Sequence, residues 1–351
     1  MVTELMVFAI ALTTSFVLTV PVRRLALQIG MVDHPNARKL HQNPMPLLGG
    51  LAIYCGTVFA IMFSLRGQQR LDQILGILVG ATLLLATGVL DDRGLLHHQI
   101  KLMVAMPLAA VTVVTLGIRF DIAAQWVPGS LGTALDIGLS LFWIVGITAA
   151  FSILDHMDGL VSGVAAIASF FFALLATLDG QYRMAPLAAA VCGASLGFLR
   201  WNFKPAKIFM GDGGAMFLGF MVAVLGVKLR PMQAPQSIAW MIPVLVLAVP
   251  IFDTTLVIIS RSRRGLLPFA SPGKDHTAHR LANLPLGQRG AVLLMYGVGI
   301  FFGVLAVALN RVPLTQHWLL EAILVLSALT GIIVLERLPY ERQLRPVEEA
   351  L

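Results

Sequence analysis

Charge is what this chain of 351 residues has least of: only 12% of its residues are Asp, Glu, Lys or Arg, against 58% hydrophobic ones. A mean hydropathy of +0.85 lies far from the soluble average and excludes a conventional water-soluble core. Cysteine is nearly absent. Cys55 and Cys192 both fall in apolar runs, without metal-ligand spacing or a surface loop that suggests a bridge, and read as small packing residues. No internal repeat or low-complexity segment interrupts the pattern, so one domain covering residues 1–351 is expected. The period-2 alternation of a membrane barrel is also missing, and lipid offers no partner to an unpaired backbone amide. The expected fold is therefore all-α and polytopic.

About eleven apolar stretches are long enough to cross roughly 30 Å of hydrocarbon. Their limits are near 4–20, 47–65, 73–90, 102–118, 132–150, 160–178, 184–200, 214–229, 237–259, 290–308 and 317–335. The first carries Glu4 instead of a basic leader and is followed by Arg23 and Arg24, which predicts a retained span and not a signal peptide. Five polar stretches follow the first, third, fifth, seventh and ninth spans: Arg23 to Pro46, Asp91 to Lys101, Asp155 to Gly159, Arg200 to Gly214, and Arg261 to Arg289. Alternate connections share one face of a membrane. Of the 25 Lys and Arg residues, 18 fall on that face and the C-terminal tail and 7 on the other, which makes the shared face cytoplasmic by the positive-inside rule. The net charge of +7 is divided among short loops, which fits anionic headgroups or phosphorylated ligands better than nucleic acid.

The chemistry sits in these polar stretches. Asp91 and Asp92 end the third span, where a helix C-terminus disfavours anions, and Lys101 opens the fourth. Two carboxylates held together raise the pKa of one and attract a divalent cation. Asp155 and Asp158 stand three residues apart, on one side of a helical turn, where both reach a hard cation; an ordinary Asp-Gly turn is the plainer alternative. Between Trp201 and Gly214, Lys204 and Lys207 offer positive charge, Phe209 a stacking surface and Gly211-Asp212-Gly213-Gly214 a turn open to phosphate. His276 and His279 have a spacing that suits zinc, but no Cys or further His in the sequence supplies a third and fourth ligand. They read better as donors to phosphate oxygens, with Arg280 beside them. Asp253, inside the ninth span, is either a functional group or the buried partner of a basic residue or helix end.

In order and spacing, these motifs resemble the polyprenyl-phosphate N-acetylhexosamine-1-phosphate transferases of glycosyltransferase family 4. The resemblance covers nearly the whole chain. It rests on Asp33-His34-Pro35 with Arg38-Lys39-Leu40-His41 and Gly49-Gly50, on Asp91-Asp92 with Lys101-Leu102, on Asp155 to Leu160, on Trp201-Asn202-Phe203 through Phe217-Leu218-Gly219, and on Asp275-His276 with His279-Arg280-Leu281. It implies transfer of a sugar 1-phosphate, N-acetylglucosamine 1-phosphate or a related N-acetylhexosamine, from a UDP-sugar to undecaprenyl phosphate. The products are a lipid diphosphate sugar and UMP, at the start of cell-envelope polysaccharide synthesis in a bacterial inner membrane. Under the resemblance, Asp91 and Asp92 orient or deprotonate the acceptor phosphate. Asp155 and Asp212 hold magnesium, with manganese as the alternative ion. Asp158 reads the uracil edge, Phe209 stacks on the base, and His276, His279 and Arg280 hold the diphosphate or the leaving nucleotide. Lys39, His41, Lys101, Asn202 and Lys207 complete the substrate contacts. The implied partners are the polyprenyl phosphate lipid, the UDP-sugar and the membrane, with no nucleic acid; a homodimer is compatible with this reading.

The chain also departs from the family pattern. Ala149 and Ser152 replace two asparagines, Leu47 an arginine and Ala215 a serine; His156 replaces a Gly or Asn, and Ala278 interrupts the histidine-rich last motif. A scaffold without activity would explain these departures. A lipid-carrier transporter, the other rival, would place its ionisable groups near the midplane and not at one surface.

Overall fold

A computed structural model describes residues 2–34, 44–64, 71–96, 98–232, 239–267, 273–311, 317–338 and 340. Lys39 and His41 lie outside the described residues. The helices are α1 (Val2–Gln28), α2 (Gly49–Ser64), α3 (Leu71–Asp92), α4 (Lys101–Val114), α5 (Ser130–Leu154), α6 (Leu160–Leu178), α7 (Met184–Asn202), α8 (Gly211–Lys228), α9 (Met241–Val246), α10 (Ala248–Arg263), α11 (Thr277–Leu281), α12 (Gly287–Leu309) and α13 (His317–Arg337). One two-residue strand pair, Val32–Asp33 with Met45–Pro46, closes the loop after α1. The protein is thus all-α, as its composition requires, and a multi-pass membrane protein.

Among the described residues, eight helical segments are long and apolar enough to cross a bilayer. The other three apolar stretches are shorter or broken. Helices α2 and α4 fall short of that length, and the ninth stretch divides into α9 and α10 at Leu247. Proline explains the break: Pro250 has no amide to donate to the carbonyl four residues back, at Val246. Pro107 likewise leaves Met103 without its helical donor, and the turn from Lys101 to Ala105 is widened into π geometry.

Helix α8 is the axis of the bundle, packed against α2, α3, α5 and α6 and buried along nearly its whole length. Small residues make this close contact possible. A Cβ at Gly214 would stand 2.7 Å from the Gly50 Cα, so α2 and α8 meet backbone to backbone. Helix α13 is the opposite case, with almost no buried surface and exposed Trp318, Ile323, Leu326 and Ile333 facing outward.

Polar contacts collect at the two ends of the bundle. At one end Lys228 donates to Gln73 (2.8 Å), Arg230 pairs with Asp121 (3.1 Å), and Asn310 donates to Asp179 (3.0 Å). These residues come from the connections opposite the five polar stretches. At the other end the polar stretches meet: Arg23 donates to the Lys207 carbonyl (3.0 Å), Arg289 to the Lys204 carbonyl (3.1 Å), and Tyr296 to the Gly159 carbonyl (2.5 Å).

Candidate active site

The end of α3, the start of α4 and the start of α8 converge on three charged side chains. Lys101 Nζ is 2.7 Å from Asp91 Oδ2 and 2.5 Å from Asp212 Oδ2. The ammonium is a shared counter-charge, and all three groups are largely shielded from solvent, the most open being Asp212 at 27%. The widened first turn of α4 carries this lysine.

Asp92 does something different from its neighbour. Its carboxylate accepts the amide of Asp212 (3.0 Å) and that of Gly213, and so caps the N-terminus of α8, where backbone N–H groups have no helical acceptor. Gly211 enters that cap at φ +72°, a left-handed conformation, and a Cβ there would run into the Asp92 carboxylate. The sequence suggests a twin role for Asp91 and Asp92; the geometry divides them.

Asp155 ends α5 on the same side. Burial and the negative charges of Asp212, Asp92 and Asp158 push its carboxyl well above the usual carboxylate range, so these four acids share one electrostatic environment. Ser152, one turn earlier, has its hydroxyl 3.4 Å from Asp212 Oδ1. Asp158 accepts the Ala206 amide (3.1 Å), joining the α5–α6 turn to the loop before α8.

That loop is braced by Asn202, whose side-chain carbonyl accepts from the Gly159 amide and the Ser162 hydroxyl (both 3.1 Å) while its amide donates to the Ile208 carbonyl (3.0 Å). The buried Asn202 thus holds two loops together. Phe209 is half-buried, its amide donating to Pro46 (2.9 Å) and its carbonyl accepting from Gly49 (3.0 Å). Lys207 is exposed, with Nζ 5.4 Å from the Trp201 ring. Beside the loop lies an open groove walled by Leu196, Leu199, Phe203 and Tyr296, with Arg200 and Lys204 on its rim.

The last polar stretch packs against the α5–α6 turn. Rings of His156 and His276 have centroids 4.1 Å apart, and those of His156 and His279 4.5 Å apart. Burial and the two neighbouring imidazoles hold His156 well below the ordinary histidine range, so it is neutral. Asp253 meets this cluster, 2.8 Å from His276 Nδ1, and accepts the Thr277 amide at 2.7 Å. The fold thus brings His156 and Asp253, from a loop and a helix distant in sequence, to the side of His276. Of the two readings of Asp253, the structure displays the structural one: it is the buried partner of His276 and of the amide that starts α11.

Arg280 sits elsewhere. It is fully buried and donates to the Asp275 carbonyl (2.8 Å), the Leu335 carbonyl (2.8 Å) and Ser260 Oγ (3.0 Å); it also pairs with Glu336 (2.7 Å) and lies 3.8 Å from the Tyr340 ring centroid. These contacts tie α10, α11 and α13 together and turn its guanidinium away from the carboxylates. Asp275 is clasped by Arg261 through both oxygens (2.9 and 2.8 Å) and by Arg264 (2.5 Å). Residue type alone gives no signal for Arg261 and Arg264 as supports of this loop, although Asp275 follows in the same polar stretch, and none for Tyr340, which lies far along the chain from Arg280.

A bundle of membrane-spanning helices with a one-sided carboxylate and lysine site defines an integral membrane protein built for chemistry at a surface. The glycosyl transferase family 4 model matches residues 74–230. The chain is 34% identical over 336 residues to the probable undecaprenyl-phosphate N-acetylglucosaminyl 1-phosphate transferase of Bacillus subtilis, covering 93% of this chain and 92% of that protein. It is 34% identical over 351 residues to a decaprenyl-phosphate N-acetylglucosaminephosphotransferase of Mycobacterium tuberculosis, covering 91% and 86%. With the undecaprenyl-phosphate alpha-N-acetylglucosaminyl 1-phosphate transferase of Yersinia pestis it shares 27% identity over 324 residues, covering 88% and 84%. The protein belongs to the polyprenyl-phosphate N-acetylhexosamine-1-phosphate transferases of glycosyl transferase family 4.

Proposed function

We propose that the protein transfers N-acetylglucosamine 1-phosphate, or a close N-acetylhexosamine relative, from a UDP-sugar to undecaprenyl phosphate at the cytoplasmic face of a bacterial inner membrane. The observation that carries this reading is the meeting of Asp91, Lys101 and Asp212, drawn from three helix ends, in one shielded cluster. The 18-to-7 division of basic residues supports the cytoplasmic placement.

Both reactants are anionic where they must meet, so attack of a lipid phosphate oxygen on the β-phosphorus of the nucleotide needs positive charge and alignment. Asp91 orients the acceptor phosphate or takes its proton. Lys101 offsets phosphate charge as the β-phosphorus–oxygen bond to the leaving UMP breaks. Asp155 and Asp212, with the Ser152 hydroxyl near Asp212, would hold a hard divalent cation, since all their donors are oxygens and Asp155 feels the Asp212 charge. Magnesium, or manganese in its place, supplies charge on diphosphate oxygens when bound. Phe209 and Asp158 border the site as base-binding groups, although the Asp158 carboxylate also serves Ala206. His276 and His279 lie on the diphosphate side, and the groove beside Phe203 and Tyr296 suits an isoprenoid chain with basic residues at its headgroup end. Lys207 stands at the exposed rim, where phosphate arrives.

Purified protein incubated with undecaprenyl phosphate and a panel of UDP-sugars, with and without magnesium, tests the proposal by mass detection of the lipid product and UMP. Product from UDP-N-acetylglucosamine that depends on magnesium and disappears in Asp91→Asn and Asp212→Asn is expected. Absence of lipid product with every UDP-sugar would refute the proposal, and full activity in either variant would remove that residue from the mechanism.

A further inference from the structure

Beside the carboxylate site lies a second group of side chains, of which only His276 enters the transferase reading. His156 in the α5–α6 turn, Asp253 in α10 and His276 before α11 each place one ligand atom within 4.8 Å of the other two. Asp253 is held firmly, with one oxygen 2.8 Å from His276 Nδ1 and the other accepting the Thr277 amide at 2.7 Å. His156 faces His276 and stacks on His279, its ring planes 27° apart. Both of its ring nitrogens are buried, yet neither makes a hydrogen bond to any described residue. An unsatisfied buried polar atom costs about 1–3 kcal/mol, and a bound ion is one of the few ways to recover it.

The donor chemistry selects among occupants. Two imidazoles and a carboxylate are the three-ligand set that zinc and similar divalent ions take, with a fourth position left for water or substrate. Magnesium prefers oxygen ligands and keeps its waters. A phosphate inside the cluster, as distinct from the diphosphate beside His276 and His279, would have to sit against the Asp253 carboxylate, so an anion is the poorer occupant of its centre.

We propose that His156, Asp253 and His276 form a second cation site, separate from Asp155 and Asp212, that binds a borderline-soft divalent ion of the zinc class. A ring nitrogen of each histidine and one oxygen of Asp253 are the ligands, with His279 bordering the ion through its stack on His156. Binding requires neutral imidazoles, so any proton on a ligating nitrogen is released to solvent. The site does not depend on the transferase reading: it stands or falls on metal binding alone.

The test uses full-length protein with a tag free of histidine, stripped with chelator and re-equilibrated with zinc or cobalt. Elemental analysis should find about one equivalent of zinc in the wild type. Cobalt in the same place should give visible ligand-field bands of a low-coordinate nitrogen and oxygen site. His156→Gly and Asp253→Asn should each weaken zinc retention about tenfold or more, and Asp212→Asn should leave it intact. Because Asp253→Asn alters a buried contact, melting curves serve as a second readout: zinc should raise the melting temperature of the wild type but not of His156→Gly. Failure of the folded wild type to bind zinc or cobalt overturns the site, as does equal retention by His156→Gly. Loss of zinc in Asp212→Asn would also overturn it, since the two sites would then be one.

Discussion

Replacing Asp275 by asparagine removes one negative charge and leaves the shape of the loop before α11 nearly unchanged. In the native protein this carboxylate accepts both Arg261 contacts, at 2.9 and 2.8 Å, and one from Arg264 at 2.5 Å. Asp275 is 1% exposed and Arg261 4%, so neither charge has water to fall back on. Breaking a buried pair by neutralising one member costs about 3–5 kcal/mol, because the other charge stays buried without compensation. Asparagine keeps one carbonyl acceptor, which places the expected loss near the lower bound, about 3 kcal/mol. At about 2 °C per kcal/mol, the melting temperature in detergent should fall by roughly 6 °C. The pH dependence gives a second signature. Burial alone would raise the Asp275 carboxyl, but the bonds from Arg261 and Arg264 outweigh it and bring it from 3.8 to about 2. A depressed folded-state pKa contributes stability that is complete above the unfolded value and is lost as pH falls through the folded one. The gap between wild type and Asp275→Asn should therefore be constant at neutral pH and close between about pH 4 and pH 2. Differential scanning fluorimetry or fluorescence-detected chromatography across this range measures both effects. A melting temperature within about 1 °C of wild type at neutral pH would show that the clasp does not hold the loop.

Lys101→Met removes the cation between Asp91 and Asp212, and UMP release should fall about a hundredfold or more while the protein remains folded. Asn202→Ala strands the Gly159 amide and the Ile208 carbonyl, at about 1–3 kcal/mol each, so its melting temperature should fall. A rise in KM larger than the fall in kcat would separate loop misplacement from damage to the reacting groups.

Much of this architecture is legible in the sequence because lipid permits so few solutions. Apolar length and the alternation of polar stretches suffice to place the polar chemistry at one end of an all-α bundle. What hydropathy does not show is where proline interrupts a helix, as Pro250 does between α9 and α10. That acids gather at this end is legible as well, but not how they divide: Asp92 and Asp158 turn out to accept backbone amides. The cluster of His156, Asp253 and His276 is not legible, because its members come from three separate segments and only packing assembles them. Arg280 and Asn202 mislead for the opposite reason. Their side chains are of the kind that binds phosphate or sugar, yet their donors are taken up by backbone and neighbouring side chains. Residue type reports what a group is able to do; its partners decide what it does.

The same accounting orders the acids of the site. Asp92 is engaged by the amides at the start of α8, and Asp158 by the amide of Ala206, so an oxygen of each has a structural acceptor role. Under the proposed function Asp91, Asp155 and Asp212 are the acids left for chemistry, with Lys101 between Asp91 and Asp212. Amide substitution should then split the five in two groups. Asp91→Asn, Asp155→Asn and Asp212→Asn keep the fold and lose turnover, because an amide has neither the charge to hold the ion nor the basicity to take a proton. Asp92→Asn and Asp158→Asn retain a carbonyl acceptor for the backbone amide, so each should keep measurable turnover and lose melting temperature instead. Turnover and melting temperature measured side by side on the five variants check the division. Complete loss of activity in Asp92→Asn with an unchanged melting temperature would return Asp92 to the reacting groups and break this division.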